Sequence, residues 1–265
     1  MEKTVIPAKP ESPYLPWNQL KLSQVTKPAA HPKLLSTPDF ERAVYDLEPA
    51  IAVFDCDGTL WSGDAGSSFM HWTVENKLLS ADAIAWLDDR YRGYKRGEVS
   101  ELAICGEMVQ VYQGIREDRL RDAATEFFRT RIEPNIFPEM QRLIATLQED
   151  NVDIWAVSST NDWVIEEGVK RFDLAPARVL AARVQIVDGI VTSRLLDVPT
   201  DEGKVAALAR AGITRPDAVF GNSVHDAAML AIARRAFPVN PTAALVERSA
   251  AEGWPVYYPA FTRPV

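Results

Sequence analysis

The chain is 265 residues long, 47% hydrophobic and 25% charged, with a formal net charge of −8. That composition suits a globular protein with room for one large domain, or for a core carrying an inserted second one. The acidic balance argues against a nucleic-acid surface and against a polybasic membrane patch, and no apolar run reaches the roughly 18 residues of a membrane span.

Residues 1–35 carry Pro7, Pro10, Pro13, Pro16, Pro28 and Pro32. This density excludes a long helix and predicts an extended arm. Tyr14, Leu15 and Trp17 could pin that arm to the body or meet a partner. The opening Met-Glu-Lys-Thr-Val-Ile-Pro lacks the basic-then-apolar pattern of a signal peptide. Cys56 and Cys105 read as reduced thiols, and a cytoplasmic location is the default expectation.

Thr37-Pro-Asp-Phe-Glu predicts a helix with proline in its first turn, running to about Tyr45. Ile51, Ala52, Val53 and Phe54 form a continuous apolar run, the pattern of a buried parallel strand. It breaks into Asp55-Cys-Asp-Gly-Thr59. Residues 67–133 then carry almost no strand signal. Ser67–Leu79, Ala81–Arg96, Val99–Ile115 and Arg119–Arg131 each read as amphipathic helices. Such an insertion after the first strand is a candidate lid over the carboxylates; a bundle used for dimerisation is the other reading.

An alternating pattern resumes with a helix over Phe137–Asp150, a strand over Val152–Ser158 and a helix over Trp163–Phe172. A short strand over Val179–Ala182 precedes a hairpin of Arg183–Val187 and Ile190–Arg194 about Asp188-Gly189. A helix over Glu202–Ala211, a strand over Ala218–Gly221, a helix over Val224–Ala236, a strand over Phe237–Val239 and a helix over Thr242–Glu252 complete the chain. Alternation of this kind predicts an α/β fold: a Rossmann-like parallel sheet with helices on both faces, plus the inserted helices.

Two carboxylates at the end of an apolar strand are costly to bury unless they bind something, and strand C-termini are where open α/β sheets hold ligands. Asp55 and Asp57 therefore point to a hard cation, a nucleophile, or both. Ala156-Val-Ser158-Ser-Thr-Asn-Asp ends a strand in a hydroxyl residue before a helix. That is either a phosphate seat or a simple N-cap. Lys204 opens a helix in Asp201-Glu-Gly-Lys-Val, where it could neutralise a phosphate and a carboxylate. Val219-Phe-Gly-Asn222-Ser-Val-His225-Asp226 places Asn222 and Asp226 in a strand-turn-helix able to hold a metal ligand and a supporting carboxylate.

In this order, the four pieces resemble the motifs of the haloacid dehalogenase superfamily, over residues 50–259. The helical insertion, Asp64 nine residues after Asp55, the Asp188-Gly189 hairpin and the tail Val239-Asn-Pro with Gly253-Trp-Pro-Val resemble its phosphoserine phosphatase-like branch. The resemblance implies an α/β core of residues 36–66 and 134–265, with a helical cap of 67–133. It implies a Mg²⁺-dependent phosphomonoester hydrolase acting on a small phosphorylated metabolite. Asp55 would attack phosphorus to give an aspartyl-phosphate. Asp57 would protonate the leaving oxygen and then activate water, which requires a raised pKa. Mg²⁺ would be held by Asp55, the main-chain carbonyl of Asp57 and the Asn222 side chain. Asp226 would orient a metal-bound water or Lys204. Ser158 and Lys204 would bind the phosphoryl group, with the amides of Cys56, Asp57 and Ser159.

Gly58, Thr59, Asp64 and Ser159 are the further substrate-facing positions. His225 is another, as a donor to the phosphate; its alternative is a place on the loop surface. Asn222 departs from the family's usual Asp and implies weaker Mg²⁺ binding. Dehalogenases of the superfamily lack the second Asp, so Asp57 favours phosphate over halide. Trp61 and Asp64 facing the lid would suit a cationic substrate, unless Trp61 is core and Asp64 a helix cap. Arg92, Lys95 and Arg96 either read a substrate carboxylate or form a solvated face. The competing functional readings are a catalytically weak relative that binds a phosphorylated ligand or partner, and a dehalogenase or phosphotransferase. Monomer and homodimer both stay open.

Overall fold

The computed structural model describes residues 31–260. Most of the expected Pro-rich arm lies outside these residues. Its last residues are not an extended tail: Leu34–Leu35 (β1) pairs in parallel with Val256–Tyr257 (β8), leaving the two ends of the described chain side by side. Thr37–Tyr45 (α1) follows as expected, capped by the Ser36 side chain and started by Pro38. Its Phe40 stacks on Tyr257 with ring centroids 4.1 Å apart.

The main sheet is built from Ile51–Phe54 (β2), Asp153–Asn161 (β3), Val179–Val187 (β4), Ile190–Asp197 (β5), Ala218–Gly221 (β6) and Arg235–Pro238 (β7). Its order is β5-β4-β3-β2-β6-β7, parallel except for the β4–β5 pair. Strands alternate apolar residues to both faces. Ala52, Phe54, Ile154 and Ala156 join one core, and Val53, Trp155, Val157 and Val219 the other. The chain leaves β2 toward β3 on one side and returns to β6 on the other. The C-terminal ends of these strands therefore flank a topological switch point.

Between β2 and β3 come Ala65–Glu75 (α2), Ala81–Lys95 (α3), Glu101–Gln110 (α4), Glu117–Phe127 (α5) and then Pro138–Glu149 (α6). Asp64, Ser80 and Ser100 cap the first three through side-chain oxygens, which shifts the expected starts at Ser67 and Val99. The helix expected to reach Arg131 instead ends at Phe127 and continues as a π-turn over Phe128–Ile132. Phe69, Trp72, Tyr112 and Phe127 form the aromatic centre of the inserted helices. Tyr112 meets Trp163 of Asp162–Val169 (α7) edge to face at 5.7 Å.

The predicted short strand and first hairpin arm are one strand, β4. Its first half runs parallel to β3 and its second half antiparallel to β5. The hairpin also grips the insertion: the Gly114 amide donates to the Val191 carbonyl and the Glu117 amide to Gly189, both at 2.9 Å. Glu202–Arg210 (α8) and Ala243–Glu252 (α10) match expectation to within a residue. The helix expected over Val224–Ala236 does not form. A 3-10 turn at Val224–Asp226 leads into a short helix, Ala227–Ala231 (α9), before β7 takes over. Ala236 and Phe237 are buried beside β6, so sheet pairing overrides the local helix propensity.

Gly168 of α7 is where sheet-side and insertion-side packing converge. A Cβ there would fall 2.5 Å from Phe128 Cε2 and 2.8 Å from Trp61 Cη2. Both rings are fully buried and have no room to move. Gly168→Ala is therefore expected to destabilise the fold by about 1–3 kcal/mol, despite alanine's better helix propensity. Urea denaturation checks this; an unchanged midpoint would refute the packing.

Candidate active site

Asp55 follows the last residue of β2, and Phe54, Cys56 and Leu60 anchor the flanking turn in the core. Its carboxylate is buried and held from two sides. Thr59 Oγ1 donates to Oδ2 at 2.9 Å and Lys204 Nζ to Oδ1 at 2.7 Å. Lys204, near the start of α8, is 2% exposed. Its remaining donors go to Asp226 Oδ1 at 2.6 Å and the Val157 carbonyl at 3.2 Å. Burial first, then the Asp226 charge, lifts Asp55 from its ordinary 3.8 to about 6, against the pull of Lys204. Burial alone would lower the Lys204 ammonium; Asp226 and then Asp55 outweigh it and hold it above its ordinary value.

Asp57 sits in a different clamp. Trp61 Nε1 donates to Oδ1 at 2.6 Å, and so does the Ala65 amide at the start of α2, at 2.9 Å. Thr160 Oγ1 donates to Oδ2 at 2.7 Å. Burial, then the neighbouring Asp64 charge, raises Asp57 to about 7, and these three hydrogen bonds only partly oppose the rise.

Both carboxylates line a cavity of about 470 Å³. Gly58, Asp64, Ser158, Ser159, Lys204, Asn222 and His225, all expected at the site, line it as well. Ser158 is not the helix cap; Asn161 is, accepting from the Val164 amide at 3.0 Å. The pairing of β3 with β4 breaks register between Val157 and Asn161, which frees Ser158, Ser159 and Thr160 for the cavity.

Two expected positions stand elsewhere. Thr59 is fully buried and turns its hydroxyl to Asp55, away from the cavity wall. Asp226, expected to orient a metal-bound water or Lys204, holds the lysine and lies behind it. Oδ1 serves the lysine, and Oδ2 accepts from the Asn222 and Ser223 amides, each at 2.9 Å. Both oxygens are occupied, so Asp226 fixes the lysine and the loop. Trp61 is core and faces Asp57, not the lid. Asp64 caps α2 through the Ser67 amide and also lines the cavity. Arg92 and Arg96 pair with Asp89 and Glu98 on the surface, while Lys95 lines the cavity.

Sequence reasoning missed Thr160, Tyr94, Glu101 and Asn240. Thr160 was within reach, since it follows Ser158 and Ser159 in the same hydroxyl-rich run. Asn240 Nδ2 donates to the Gly58 carbonyl at 3.2 Å. Its place beside the nucleophile turn depends on a contact between segments 182 residues apart.

Among the described residues no group of three or more His, Cys, Asp and Glu converges as a metal site. The residues expected to hold a metal, Asp55, Asp57 and Asn222, all line the cavity, and the Asp55 carboxylate, the Asp57 main-chain carbonyl and the Asn222 amide are all oxygen donors. An oxygen-only set with a single carboxylate fits a hard cation such as Mg²⁺ that keeps several waters, and does not fit zinc.

A family model, haloacid dehalogenase-like hydrolase, matches residues 52–231. The chain belongs to this family. None of the curated proteins matches the chain by sequence. Among solved structures, the hydrolase is similar to a protein of unknown function from Bordetella pertussis Tohama I, with 24% identity and a TM-score of 0.70 over 78% of this chain and 97% of that one. It is similar to a phosphoserine phosphatase captured as a phospho-aspartyl intermediate analogue, at 14% identity and TM-score 0.54, covering 79% and 93%. A HAD family hydrolase from Salmonella enterica subsp. enterica serovar Typhi gives 17%, 0.56, 80% and 75%. At these identities the likeness is one of fold: the hydrolase has the α/β architecture of the phosphoserine phosphatase-like branch.

The raised Asp57 pKa carries a stability cost. The folded state keeps this proton up to about pH 7, whereas an unfolded Asp releases it near 3.8. Its contribution is thus most favourable below about pH 4 and is lost as pH rises through 7. Asp57→Asn, kept in chelator, is expected to be more stable than the parent at pH 8 by more than about 1 kcal/mol. The gain should shrink toward pH 5. Denaturation at both pH values reads this; a gain independent of pH would refute the buried-acid assignment.

Proposed function

We propose that the hydrolase is a Mg²⁺-dependent phosphatase that cleaves a small phosphomonoester through an aspartyl-phosphate. The observation that carries this reading is the pairing of a lysine-held Asp55 with a proton-retaining Asp57 on one cavity wall.

Asp55 attacks phosphorus, forming its P–O bond as the ester P–O bond breaks. Lys204 and Thr59 hold the carboxylate in one orientation for that approach. The leaving oxygen takes its proton from Asp57. Trp61 Nε1 and the Ala65 amide make Oδ1 an acceptor only, so the proton of the acid form resides on Oδ2 and is donated to Thr160 Oγ1, whose hydroxyl donates the other way once Asp57 is ionised. Water then attacks the acyl phosphate, Asp57 recovers a proton from it, and phosphate leaves with Asp55 restored. Ser158 holds the phosphoryl oxygens with help from the Cys56, Asp57 and Ser159 amides, and Lys204, whose three N–H groups rest on Asp55, Val157 and Asp226, adds its charge beside them. Asp55, the Asp57 carbonyl and Asn222 would hold Mg²⁺, which supplies charge neutralisation at the phosphoryl oxygens when bound. The inserted helices serve as a cap over residues of the α/β core, with Asp64 and His225 facing the substrate.

A second reading, a catalytically weak relative that binds a phosphorylated ligand, is favoured by Asn222, which offers oxygen without charge. A panel of phosphomonoesters, with and without Mg²⁺, separates the two. Metal-dependent phosphate release that Asp55→Asn abolishes is expected; release from no ester would sink the phosphatase reading. Thr160→Val should lower kcat about tenfold or more with little change in KM, because it leaves the proton of Asp57 without its resting partner. Asn222→Asp should lower the Mg²⁺ concentration needed for half-maximal activity; a rise would place Asn222 away from the metal.

A further inference from the structure

His225 stands between the α/β core and the inserted helices, and its two ring nitrogens face different sides. Nδ1 lies 2.8 Å from Oδ1 of Asp201, in the core. Nε2 lies 3.2 Å from the Tyr94 hydroxyl of α3 and 3.5 Å from Glu101 Oε2 of α4.

The core side breaks a local rule. Asp201 opens α8, where an aspartate ordinarily accepts from the first free amides of the helix. Here its side chain caps nothing. It turns to the imidazole instead, on a backbone of φ +49° and ψ −127° that residues other than glycine seldom adopt. A carboxylate that forgoes its local role for a distant partner marks a contact that the fold maintains for another purpose.

The inserted-helix side is satisfied whichever way the proton lies. With the Nδ1 proton given to Asp201, a bare Nε2 accepts from Tyr94. That phenol keeps its proton, because burial and then the adjacent Glu101 hold it above its ordinary pKa. A protonated Nε2 donates instead to Glu101 Oε2, a buried oxygen to which no described residue donates. Either state of the ring joins α3 and α4 to the core. Both nitrogens are engaged, so His225 presents its ring to the cavity without a free donor for phosphate.

The place of the ring gives this contact its consequence. Asp201 precedes Lys204 by three residues, and the Lys204 amide donates to its carbonyl at 3.1 Å. Asp226, which follows His225 directly, accepts from Lys204 Nζ at 2.6 Å. The two segments that carry the lysine clamp, the first turn of α8 and the turn after β6, thus meet at the imidazole. The inserted helices reach that junction through Tyr94 and Glu101.

Resting on the phosphatase reading, we infer that His225 is a positioning residue: it fixes the start of α8, and with it Lys204 and Asp55, only while Tyr94 and Glu101 of the inserted helices are docked against it. Docking of those helices and alignment of the nucleophile are then one event rather than two.

Hydrogen exchange reads the first half of this without turnover. In Tyr94→Phe combined with Glu101→Ala, and in His225→Ala, the amides of Gly203 and Lys204 are expected to exchange about tenfold faster than in the parent, while those of Ala52 and Val53 in β2 keep their rates. Steady-state kinetics reads the second half. The paired change should lower kcat about tenfold and leave KM within about twofold, because these side chains align Lys204 rather than grip the ester. Added to His225→Ala, it should cost nothing further, since all three residues act through one contact. Unchanged exchange at Gly203 and Lys204, an intact kcat in the paired variant, losses that add to that of His225→Ala, or a rise in KM in place of the fall in kcat would overturn the inference. Faster exchange with no ester turned over, even by the parent, would defeat the phosphatase reading and leave His225 standing as the tie between the inserted helices and α8.

Discussion

The buried ammonium of Lys204 is the constraint on which the rest of the site depends. A lysine has three N–H donors, and here each has a separate target: Asp55 after β2, the carbonyl of Val157 in β3, and Asp226 after β6. Desolvating a cation and two carboxylates is repaid only when every group is satisfied. Here that satisfaction requires three strand ends and the start of α8 to converge. Strand order, register and the short turn after β6 are therefore preconditions of the cluster. Asp226 has no oxygen left for the cavity because it completes this cluster and caps its own loop.

Asp57, two residues from Asp55, lives under opposite rules. No cation touches it, and its neighbour Asp64 is anionic. Two N–H donors fix one oxygen and a hydroxyl meets the other, so its protonation is localised. One of those donors is the first amide of α2. The proton-holding carboxylate is thus bonded to the inserted helices, whereas Asp55 is bonded to the sheet and α8. Two chemically distinct carboxylates emerge from one turn because they anchor to different parts of the fold.

Much of this was legible in sequence because it is local. The apolar run Ile51–Phe54, the prolines and serines at helix starts and the Asp188-Gly189 turn act within a few residues. So did the positions of Asp55 and Asn222 just past strand ends, whereas Ser158, expected to end its strand, lies inside β3, which runs on to Asn161. What failed depends on distant partners. Residues 232–236 look helical until β6 supplies a neighbouring strand. Trp61 looks like a substrate-facing aromatic until Gly168 and Phe128 enclose it. Which of its two expected tasks Asp226 takes, a metal-bound water or Lys204, is decided only when Lys204 arrives from 22 residues away. Glu101 had no signal at all, since one carboxylate on an amphipathic helix resembles any other until the helix is packed.

Asn222 alters the charge balance in a way these contacts make specific. Its amide lies against Gly58, where a Cβ would fall 1.8 Å from Nδ2, and Gly58 has φ +75°. The close approach and the turn both demand glycine there. The side chain thus stands directly over the nucleophile turn, where a carboxylate would add charge beside Asp55 and Asp226. With an amide, those two carboxylates face Lys204 without a third. In the proposed mechanism a phosphate dianion would then enter a less anionic site, and a larger share of its placement would fall to Ser158 and the charge of Lys204 rather than to a bound cation. In the proposed mechanism the same amide would weaken the hold on Mg²⁺. On that mechanism anion acceptance and metal retention would be traded against each other at one position, through the presence or absence of a single charge.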